Sequence, residues 1–273
     1  MMIRNPLVGA IAGDMIGVPY EFLRHGVAIT PTFPLWMEDS HFSDDSVMTM
    51  AVAKWLVEDD KHEASTLIKY MQELGRKYRN CGYGSNFGQW LDSEDPKPYG
   101  SWGNGSAMRV SPIGVAFIKE EDISKYAVLQ ASVSHNSEEG YDGAKAIALA
   151  VRAALSNWNK SAIKILIRER IPTYDLNRTP QQIMNAGYTF KVSCQDSVPE
   201  AICCFLNSDS YEETIRKAIL LRGDTDTQAC MAGSIAAAYW GVPEEIAEEA
   251  KSRLPQDLYV ILSKFSKKYN LPL

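Results

Sequence analysis

The chain has 273 residues, of which 45% are hydrophobic and 23% are charged, and its formal net charge is −6 at pH 7. This composition is typical of a globular protein, and no apolar run approaches the roughly 18–20 residues that span a bilayer. The negative charge argues against nucleic-acid binding through a general basic surface. We therefore expect a monomer that binds neither a membrane nor nucleic acid in general.

The cysteines and the first residues indicate the compartment. The chain has five cysteines without a CxxC or Cys/His spacing, which is typical of buried, reduced thiols in the cytoplasm rather than of a zinc site. No basic region followed by an apolar stretch opens the sequence, as it would in a secretory signal. No repeat and no low-complexity linker divides the chain, so we predict a cytoplasmic protein with one domain over residues 1–273.

Apolar residues at helical spacing dominate the sequence, whereas the alternation typical of strands is scarce. Tyr188 to Ser193 is the one candidate extended segment, and Gly82 to Pro112 lacks periodicity. A loop of that length in a compact domain is usually functional. The sequence predicts an all-α fold, a compact helical bundle with long site-forming loops. In chain order, the predicted helices cover residues 44–58, 62–78, 121–133, 144–155, 160–169, 196–207, 210–221, 225–238, 244–252 and 256–268.

The N-terminal segment combines glycines with acidic residues. Gly9, Gly13 and Gly17 recur every four residues and give one smooth helix face for close packing. Asp14 interrupts this short apolar stretch, which excludes a membrane dimer motif. Asp14 can cap a helix or form hydrogen bonds within the core. Glu21 lies where the helix would end, so its side chain can point into a cleft.

Two acidic clusters each precede a strongly apolar helix. Helix capping and the helix dipole can explain either cluster alone. Both together favour a metal site, because carboxylates near the core need a counter-charge and Arg222 is the only close cation in sequence. Oxygen ligands without histidine or cysteine favour Mg²⁺ or Mn²⁺, and two ions roughly 3.5–4 Å apart would suit water activation. The clusters are Ser43, Asp44 and Asp45, and Asp224, Asp226 and Thr227.

A glycine-rich turn from Tyr99 to Arg109 leads to a further predicted helix, beyond those given above. Such a turn can direct backbone N–H groups at a phosphate. Trp102 on this turn is poorly placed for core packing but well placed to stack on a base. The turn is neither a Walker loop nor a dinucleotide fingerprint, since no Gly-Lys-Ser/Thr follows and no strand precedes it. His135, between two predicted helices, is either a capping or core histidine or a substrate contact.

Taken together, these motifs resemble the ADP-ribosylglycohydrolases, also called dinitrogenase-reductase-activating glycohydrolase-like proteins. They occur in the family's order and extend over residues 8 to about 242. Each motif alone is weakly specific, but the combination is highly specific. The motifs are Gly13-Asp14-x-x-Gly17 with Glu21, Ser43-Asp44-Asp45-Ser46, Gly82-Tyr83-Gly84, Gly103-Asn104-Gly105-x-x-Met108-Arg109, Ser134-His135 and Gly223-Asp224-Thr225-Asp226-Thr227.

The resemblance implies an orthogonal all-α bundle with a binuclear Mg²⁺ or Mn²⁺ centre. It implies metal ligation by Ser43, Asp44 and Asp45 from one side and by Asp224, Asp226 and Thr227 from the other. Catalytic roles fall on Glu21, Asp45 and Asp226. Trp102 falls where family members carry an aromatic residue that stacks on adenine. The positions around the pyrophosphate and the riboses are matched by Ser101, Gly103, Asn104, Gly105 and His135, and those lining the distal ribose by Gly84, Ser85 and Asn86.

Two positions depart from the family pattern. Ser43 stands where many members have threonine, and its hydroxyl can serve equally as a ligand. Arg222 stands where the family commonly has a second glycine before the aspartate. A bulky cation there could alter the affinity for metal or form a salt bridge with a neighbouring carboxylate.

The implied activity is hydrolysis of the glycosidic bond at C1″ of an ADP-ribosyl adduct, on a protein or a small molecule, with release of ADP-ribose. An oxocarbenium-like transition state is expected for such a cleavage. Two alternatives remain open from the sequence. One is a catalytically silent ADP-ribose-binding module, and the other is a metal-dependent hydrolase acting on the pyrophosphate.

Overall fold

The computed structural model describes residues 1–21 and 29–273, and the all-α prediction is confirmed. The described strands are short: β1 (Met2–Ile3) pairs antiparallel with β2 (Val242–Pro243). A 3₁₀ turn covers Val18–Tyr20. The helices are α1 (Pro6–Gly17), α2 (Asp44–Glu58), α3 (Ala64–Lys77), α4 (Ser85–Asp92), α5 (Gly105–Met108), α6 (Ser111–Ala116), α7 (Glu120–Ser132), α8 (Glu138–Leu155), α9 (Lys160–Arg170), α10 (Pro180–Asn185), α11 (Cys194–Leu206), α12 (Tyr211–Leu220), α13 (Thr225–Tyr239), α14 (Glu244–Ser252) and α15 (Gln256–Lys268).

Each helix predicted from periodicity occurs, and most ends agree to within two residues. The largest difference is at α8, which begins at Glu138 rather than near residue 144. Ser137 explains the earlier start, because its side chain caps the helix by accepting a hydrogen bond from the Gly140 backbone N–H.

The prediction of one long loop over Gly82–Pro112 was wrong, since α4, α5 and the start of α6 lie within it. α4 is short and has Gly88 in its middle, so its local helix propensity is low. Tertiary packing compensates, because α4 buries Phe87, Trp90 and Leu91 and lies against α3. A short helix of this kind is stabilised mainly by the face that it buries.

α1 and α13 form the centre of the fold, and every residue of α1 and Thr225 to Ala238 of α13 are buried. The prediction of a smooth glycine face is confirmed. A Cβ at Gly13 would press against the Ala229 carbonyl and lie 2.6 Å from its carbon, and one at Gly17 would lie 2.6 Å from the Asp226 backbone nitrogen. Only glycine permits this approach, which brings α1 against the acidic start of α13.

One cluster of buried hydrophobic side chains includes residues from α1, α2, α8, α11 and α13. This continuity supports the prediction of a single domain. The five cysteines are free thiols, and four of them are buried. No described helix is both long and apolar enough to cross a membrane.

Candidate active site

The two acidic clusters predicted from the sequence lie side by side. Ser43 caps α2 by accepting a hydrogen bond from the Asp45 backbone N–H at 3.2 Å. The Thr227 hydroxyl, in the first turn of α13, donates to Asp45 Oδ2 at 3.1 Å. The starts of α2 and α13 therefore converge, although about 180 residues separate them in the sequence.

Asp14 of α1 lies against the start of α2 and adds a third element to the site. Its buried carboxylate accepts hydrogen bonds from the Ser43 hydroxyl at 2.6 Å, from the backbone N–H groups of Ser43 and Ser46 at 3.0 and 3.1 Å, and from the Ser46 hydroxyl. Carboxylate oxygens of Asp14, Asp45 and Asp226 all lie within 4.8 Å of one another. The sequence identified Asp14 as a capping or core residue but did not place it in the acidic site.

A second acidic group adjoins the first. Carboxylate oxygens of Glu21, Asp224 and Asp226 lie within 4.8 Å of one another, and Asp226 is common to both groups. Asp224 stands at the N-cap position of α13, but its side chain makes no capping hydrogen bond. Its Oδ2 instead accepts a hydrogen bond from Asn104 Nδ2 at 2.8 Å, which ties the glycine-rich turn to the acidic site.

The electrostatics of the site are strongly unfavourable for the bare carboxylates. Burial, and next the neighbouring carboxylates, raise the pKa values of Asp45 and Asp226 well above the usual range for aspartate. The same causes raise the pKa of Glu21 to about 8, and burial raises that of Asp224 to about 6. Within residues 1–21 and 29–273, no lysine or arginine forms an ion pair with Asp14, Asp45, Asp224 or Asp226, nor with Glu21 or Asp44.

These residues fit a divalent cation. Asp45 Oδ1 is buried and has no hydrogen-bond partner among the described residues. An oxygen in that position is costly unless it is paired or coordinates a metal. The surrounding donors are carboxylates and hydroxyls, the hard oxygen ligands that Mg²⁺ and Mn²⁺ prefer. The acidic groups could therefore hold a metal ion.

Arg222 follows the end of α12 and has a φ of 59°, in the left-handed region. Its backbone N–H donates to the Ile219 carbonyl at 3.0 Å, which closes the C-terminus of the helix. Glycine is the preferred residue for this conformation. The chain therefore has an exposed arginine at a position whose backbone conformation favours glycine.

The glycine-rich turn is fixed against the extended segment that the sequence predicted before α11. Gly103 and Ser193 form an antiparallel bridge. The Asn104 N–H donates to the Val192 carbonyl at 2.8 Å, and the Cys194 N–H donates to the Trp102 carbonyl at 2.9 Å. Trp102 itself is 53% exposed, so its indole is available to stack on a ligand.

His135 lies beneath the other side of this turn and is only 5% exposed. A Cβ at Gly105 would lie 2.9 Å from His135 Nε2, and one at Gly103 would lie 3.7 Å from it. The Ser101 carbonyl accepts a hydrogen bond from Ser137, which follows His135 in the same loop, at 2.8 Å. The turn and the histidine therefore form one packed unit.

Gly84, Ser85 and Asn86 are exposed at the start of α4, with Gly84 in the N-cap position. The preceding residues contact the acidic site, since the Asp44 N–H donates to the Cys81 carbonyl at 2.7 Å. The following Phe87 ring has its centroid 6.4 Å from that of His135. This segment thus runs from the acidic site to the histidine.

Comparisons with known proteins show the family and the fold of the chain. ADP-ribosylhydrolase ARH3 of Mus musculus is 28% identical to the chain, with 90% of the chain and 85% of the relative covered. ADP-ribosylarginine hydrolase Tri1 of Pseudomonas putida (strain GB-1) is 25% identical, with 94% and 77% covered. A solved "ADP-ribosylglycohydrolase-related protein complex" has a similar fold, with a TM-score of 0.68 at 20% identity over 97% of this chain and 98% of that one. Because the model of the ADP-ribosylglycohydrolase family also matches residues 3–270, the chain belongs to this family of enzymes.

Proposed function

We propose that the chain hydrolyses the glycosidic bond at C1″ of ADP-ribosyl adducts and releases ADP-ribose. The observation that carries this proposal is the buried acidic site beside the glycine-rich turn, in which Asp45 Oδ1 has no partner among the described residues. The names of the relatives support the same chemistry, since ARH3 is an ADP-ribosylhydrolase and Tri1 an ADP-ribosylarginine hydrolase.

Two divalent cations, Mg²⁺ or Mn²⁺, would be held by the hydroxyl and carboxylate residues at the starts of α2 and α13. The two overlapping acidic groups support two positions, with Asp226 shared between them. When bound, such ions supply Lewis-acid chemistry, which lowers the pKa of a water molecule and orients ribose hydroxyls. The proposed ligands are Ser43, Asp44, Asp45, Asp224, Asp226 and Thr227.

The proton is carried by the carboxylates that border the cleft. Glu21 is half-buried and adjoins Asp224 and Asp226, so its carboxyl can hold or release a proton beside the scissile bond. Asp45 and Asp226 are the other candidates for this role. The negative charge of the site would also stabilise the positive charge that develops on the sugar as the bond breaks.

The glycine-rich turn would bind the nucleotide. Trp102 is exposed beside the bridge to Ser193 and can stack on adenine. His135 lies directly under the turn and can contact the pyrophosphate or a ribose. The further proposed contacts are Gly84, Ser85, Asn86, Ser101, Gly103, Asn104 and Gly105.

The test is the release of free ADP-ribose from a defined ADP-ribosylated substrate, with Mg²⁺ and after its removal by EDTA. We expect release only with the cation, and a loss of at least about 100-fold in an Asp44→Ala/Asp226→Ala double variant. Asp95→Ala is the matched control, because this carboxylate is exposed and pairs only with Lys97 among the described residues. Equal release by the double variant and the wild-type protein would contradict the proposal.

Mass spectrometry of the products separates the two alternatives. AMP instead of ADP-ribose would indicate hydrolysis of the pyrophosphate. Tight ADP-ribose binding without turnover on any adduct would indicate a binding module. A panel of arginine-, serine-, O-acetyl- and nucleic-acid-linked adducts identifies the acceptor, because all four present the same bond at C1″.

A further inference from the structure

The inner side of His135 contacts a buried chain of polar groups that no step above uses. Arg109 Nη2 donates to the Ser134 hydroxyl at 3.0 Å, and the same oxygen lies 2.8 Å from His135 Nδ1. Arg109 and Ser134 are 1% and 0% exposed. Solvent therefore cannot replace any of these hydrogen bonds.

Gln130 fixes the guanidinium of Arg109. Its side-chain oxygen accepts from Arg109 Nε at 2.8 Å, and its carbonyl accepts from Nη2 at 2.9 Å. Its own amide nitrogen donates to the Ser106 carbonyl at 2.9 Å, so the orientation of the Gln130 amide is also determined. Arginine has only donors, which makes the Ser134 oxygen an acceptor in the contact with Arg109.

The position of the Ser134 proton follows from this contact. Within the part of the chain that the structure describes, the Ser134 hydroxyl makes hydrogen bonds only to Arg109 and His135. Its proton can therefore be satisfied only by His135 Nδ1, and a buried hydroxyl proton without an acceptor is costly. Nδ1 must then be an acceptor, and the proton of the neutral imidazole must lie on Nε2.

The surroundings of Nε2, on the outer side of the His135 imidazole, leave its proton available to a ligand. Nε2 makes no hydrogen bond with any described residue, and it is not among the unpartnered polar atoms that are fully buried. A ligand can therefore reach it. Gly105 leaves it uncovered, because a Cβ there would lie 2.9 Å away. The rings of Phe87 and Tyr99 flank the imidazole, with centroids 6.4 and 6.0 Å from that of His135.

We propose that Arg109 and Ser134 are positioning residues that hold His135 as a neutral Nε2–H donor, directed at an acceptor oxygen of the nucleotide as it crosses the glycine-rich turn. This proposal rests on the proposed function for the identity of the nucleotide, but not for the position of the proton. The positive charge of Arg109 acts in the same direction, since burial and next this charge lower the pKa of His135 well below its usual value.

Histidine ¹⁵N NMR at pH 7 tests the position of the proton directly. The chain has four histidines, and the signals lost in His135→Asn assign the one of interest. We expect protonated Nε2 and unprotonated Nδ1 in the wild-type protein, in Ser134→Thr and in the control Ser132→Ala, whose hydroxyl contacts Leu129 instead. In Ser134→Ala we expect a mixture of tautomers. A proton on Nδ1 in the wild-type protein, or the same tautomer in Ser134→Ala, would overturn the proposal.

Calorimetric titration with ADP-ribose tests whether the orientation of His135 contributes to nucleotide affinity. Loss of one oriented hydrogen bond predicts about tenfold weaker binding by Ser134→Ala, with recovery in Ser134→Thr. If Ser134 acts through His135, a Ser134→Ala/His135→Asn double variant should bind no more weakly than His135→Asn alone. Additive losses would overturn the positioning role. A wild-type protein with the Nε2 tautomer but no affinity for ADP-ribose would overturn the proposed function and leave the positioning supported.

Discussion

The backbone conformation of a single residue affects the stability of the protein, and Arg222 is an example. Its left-handed φ of 59° is unfavourable for a residue with a side chain. We expect the free energy of unfolding of Arg222→Gly to exceed that of Arg222→Ala by about 0.5–1 kcal/mol, which is the relief of backbone strain less the entropy that glycine loses on folding. Urea denaturation measures the change. Arg222→Ala is the matched control, because both variants lack the arginine side chain but only Arg222→Ala keeps the strain, and equal stability of the two variants would refute the explanation.

Glu200 of α11 is a buried carboxylate that does not belong to the acidic site. Its Oε1 lies 2.8 Å from Arg178 Nη2, whereas Oε2 has no hydrogen-bond partner among the described residues. Burial raises the pKa of Glu200 to about 7, although Arg178 opposes the shift. Because this pKa is above that of the unfolded chain, the stability that Glu200 contributes is present at low pH and is lost as the pH rises through about 7.

Removing Arg178 should therefore matter most at alkaline pH. We expect Arg178→Ala to lower the free energy of unfolding by about 1 kcal/mol at pH 8 and by less at pH 5, where Glu200 can be neutral. The estimate is modest because Arg178 is partly exposed. Denaturation at the two pH values measures the difference. Arg79→Ala, which breaks an exposed pair with Asp92, should cost little at either pH, and a pH-independent loss in Arg178→Ala would contradict the account.

Between elements, the contact of α1 with α13 decides whether the site can assemble. Gly13 lies against the backbone of Ala229, where no flexible side chain can yield. We expect Gly13→Ala to separate the two helices and to destabilise the protein by at least about 3 kcal/mol. It should also weaken Mg²⁺ binding, because Asp14 and Asp226 lie on the two helices that move apart. Thermal unfolding and calorimetric titration with Mg²⁺ measure these effects.

Gly88 of α4 is the matched control for Gly13. A Cβ at Gly88 has nothing within 4 Å, so Gly88→Ala should stabilise the protein by up to about 1 kcal/mol through its higher helix propensity. If Gly13→Ala proved as harmless as Gly88→Ala, the close approach of α1 and α13 would not be what positions the acidic residues.

Across the whole molecule, the raised pKa values of the acidic site make stability depend on pH. The pKa of Glu21 is raised to about 8 and that of Asp224 to about 6. Both exceed their values in the unfolded chain, so the folded protein without metal binds more protons between about pH 4 and 8. Its stability should fall as the pH rises through this window. We expect EDTA-treated protein to have a lower melting temperature at pH 8 than at pH 5.

If the acidic site holds the proposed divalent cation, the cation should reverse this dependence, because metal ions bind carboxylates in their deprotonated form. We expect Mg²⁺ to raise the melting temperature more at pH 8 than at pH 5. Asp226→Asn removes the carboxylate shared by both acidic groups and should reduce both the pH dependence and the effect of Mg²⁺. An unchanged response in Asp226→Asn would mean that the stabilising cation binds elsewhere.

The helices were predictable where periodicity is strong and tertiary contacts only reinforce it. α2 occurs as predicted from Asp44 to Glu58, because Ser43 supplies a local cap and the apolar residues recur at helical spacing. α4 was not predictable, since Gly88 weakens its propensity and the packing of Phe87, Trp90 and Leu91 on distant residues decides its conformation. The capping box of Thr179 and Gln182 at α10 was a local signal that periodicity alone does not detect.

The residues of the candidate site likewise divide into those that the sequence predicted and those that it did not. The motifs of Ser43 to Asp45 and of Asp224 to Thr227 could be identified in the sequence, because each combines a helix start with an excess of carboxylates. The position of Asp14 in the acidic site could not be predicted, because an aspartate beside a glycine face has the same local sequence whether it lies in the core or in a cluster of carboxylates. Only the packing of α1 places its oxygens within 4.8 Å of those of Asp45 and Asp226.

The sequence by itself determined the all-α fold, the acidic and glycine-rich motifs, and the resemblance that these motifs carry, since periodicity and residue type are local properties. The tertiary structure decided which residues meet. It brought Thr227 to Asp45, Asn104 to Asp224, and Arg109 through Ser134 to His135. The physical reason is that hydrogen bonds form only between groups in direct contact, and only the folding of distant helices onto one another brings these groups together.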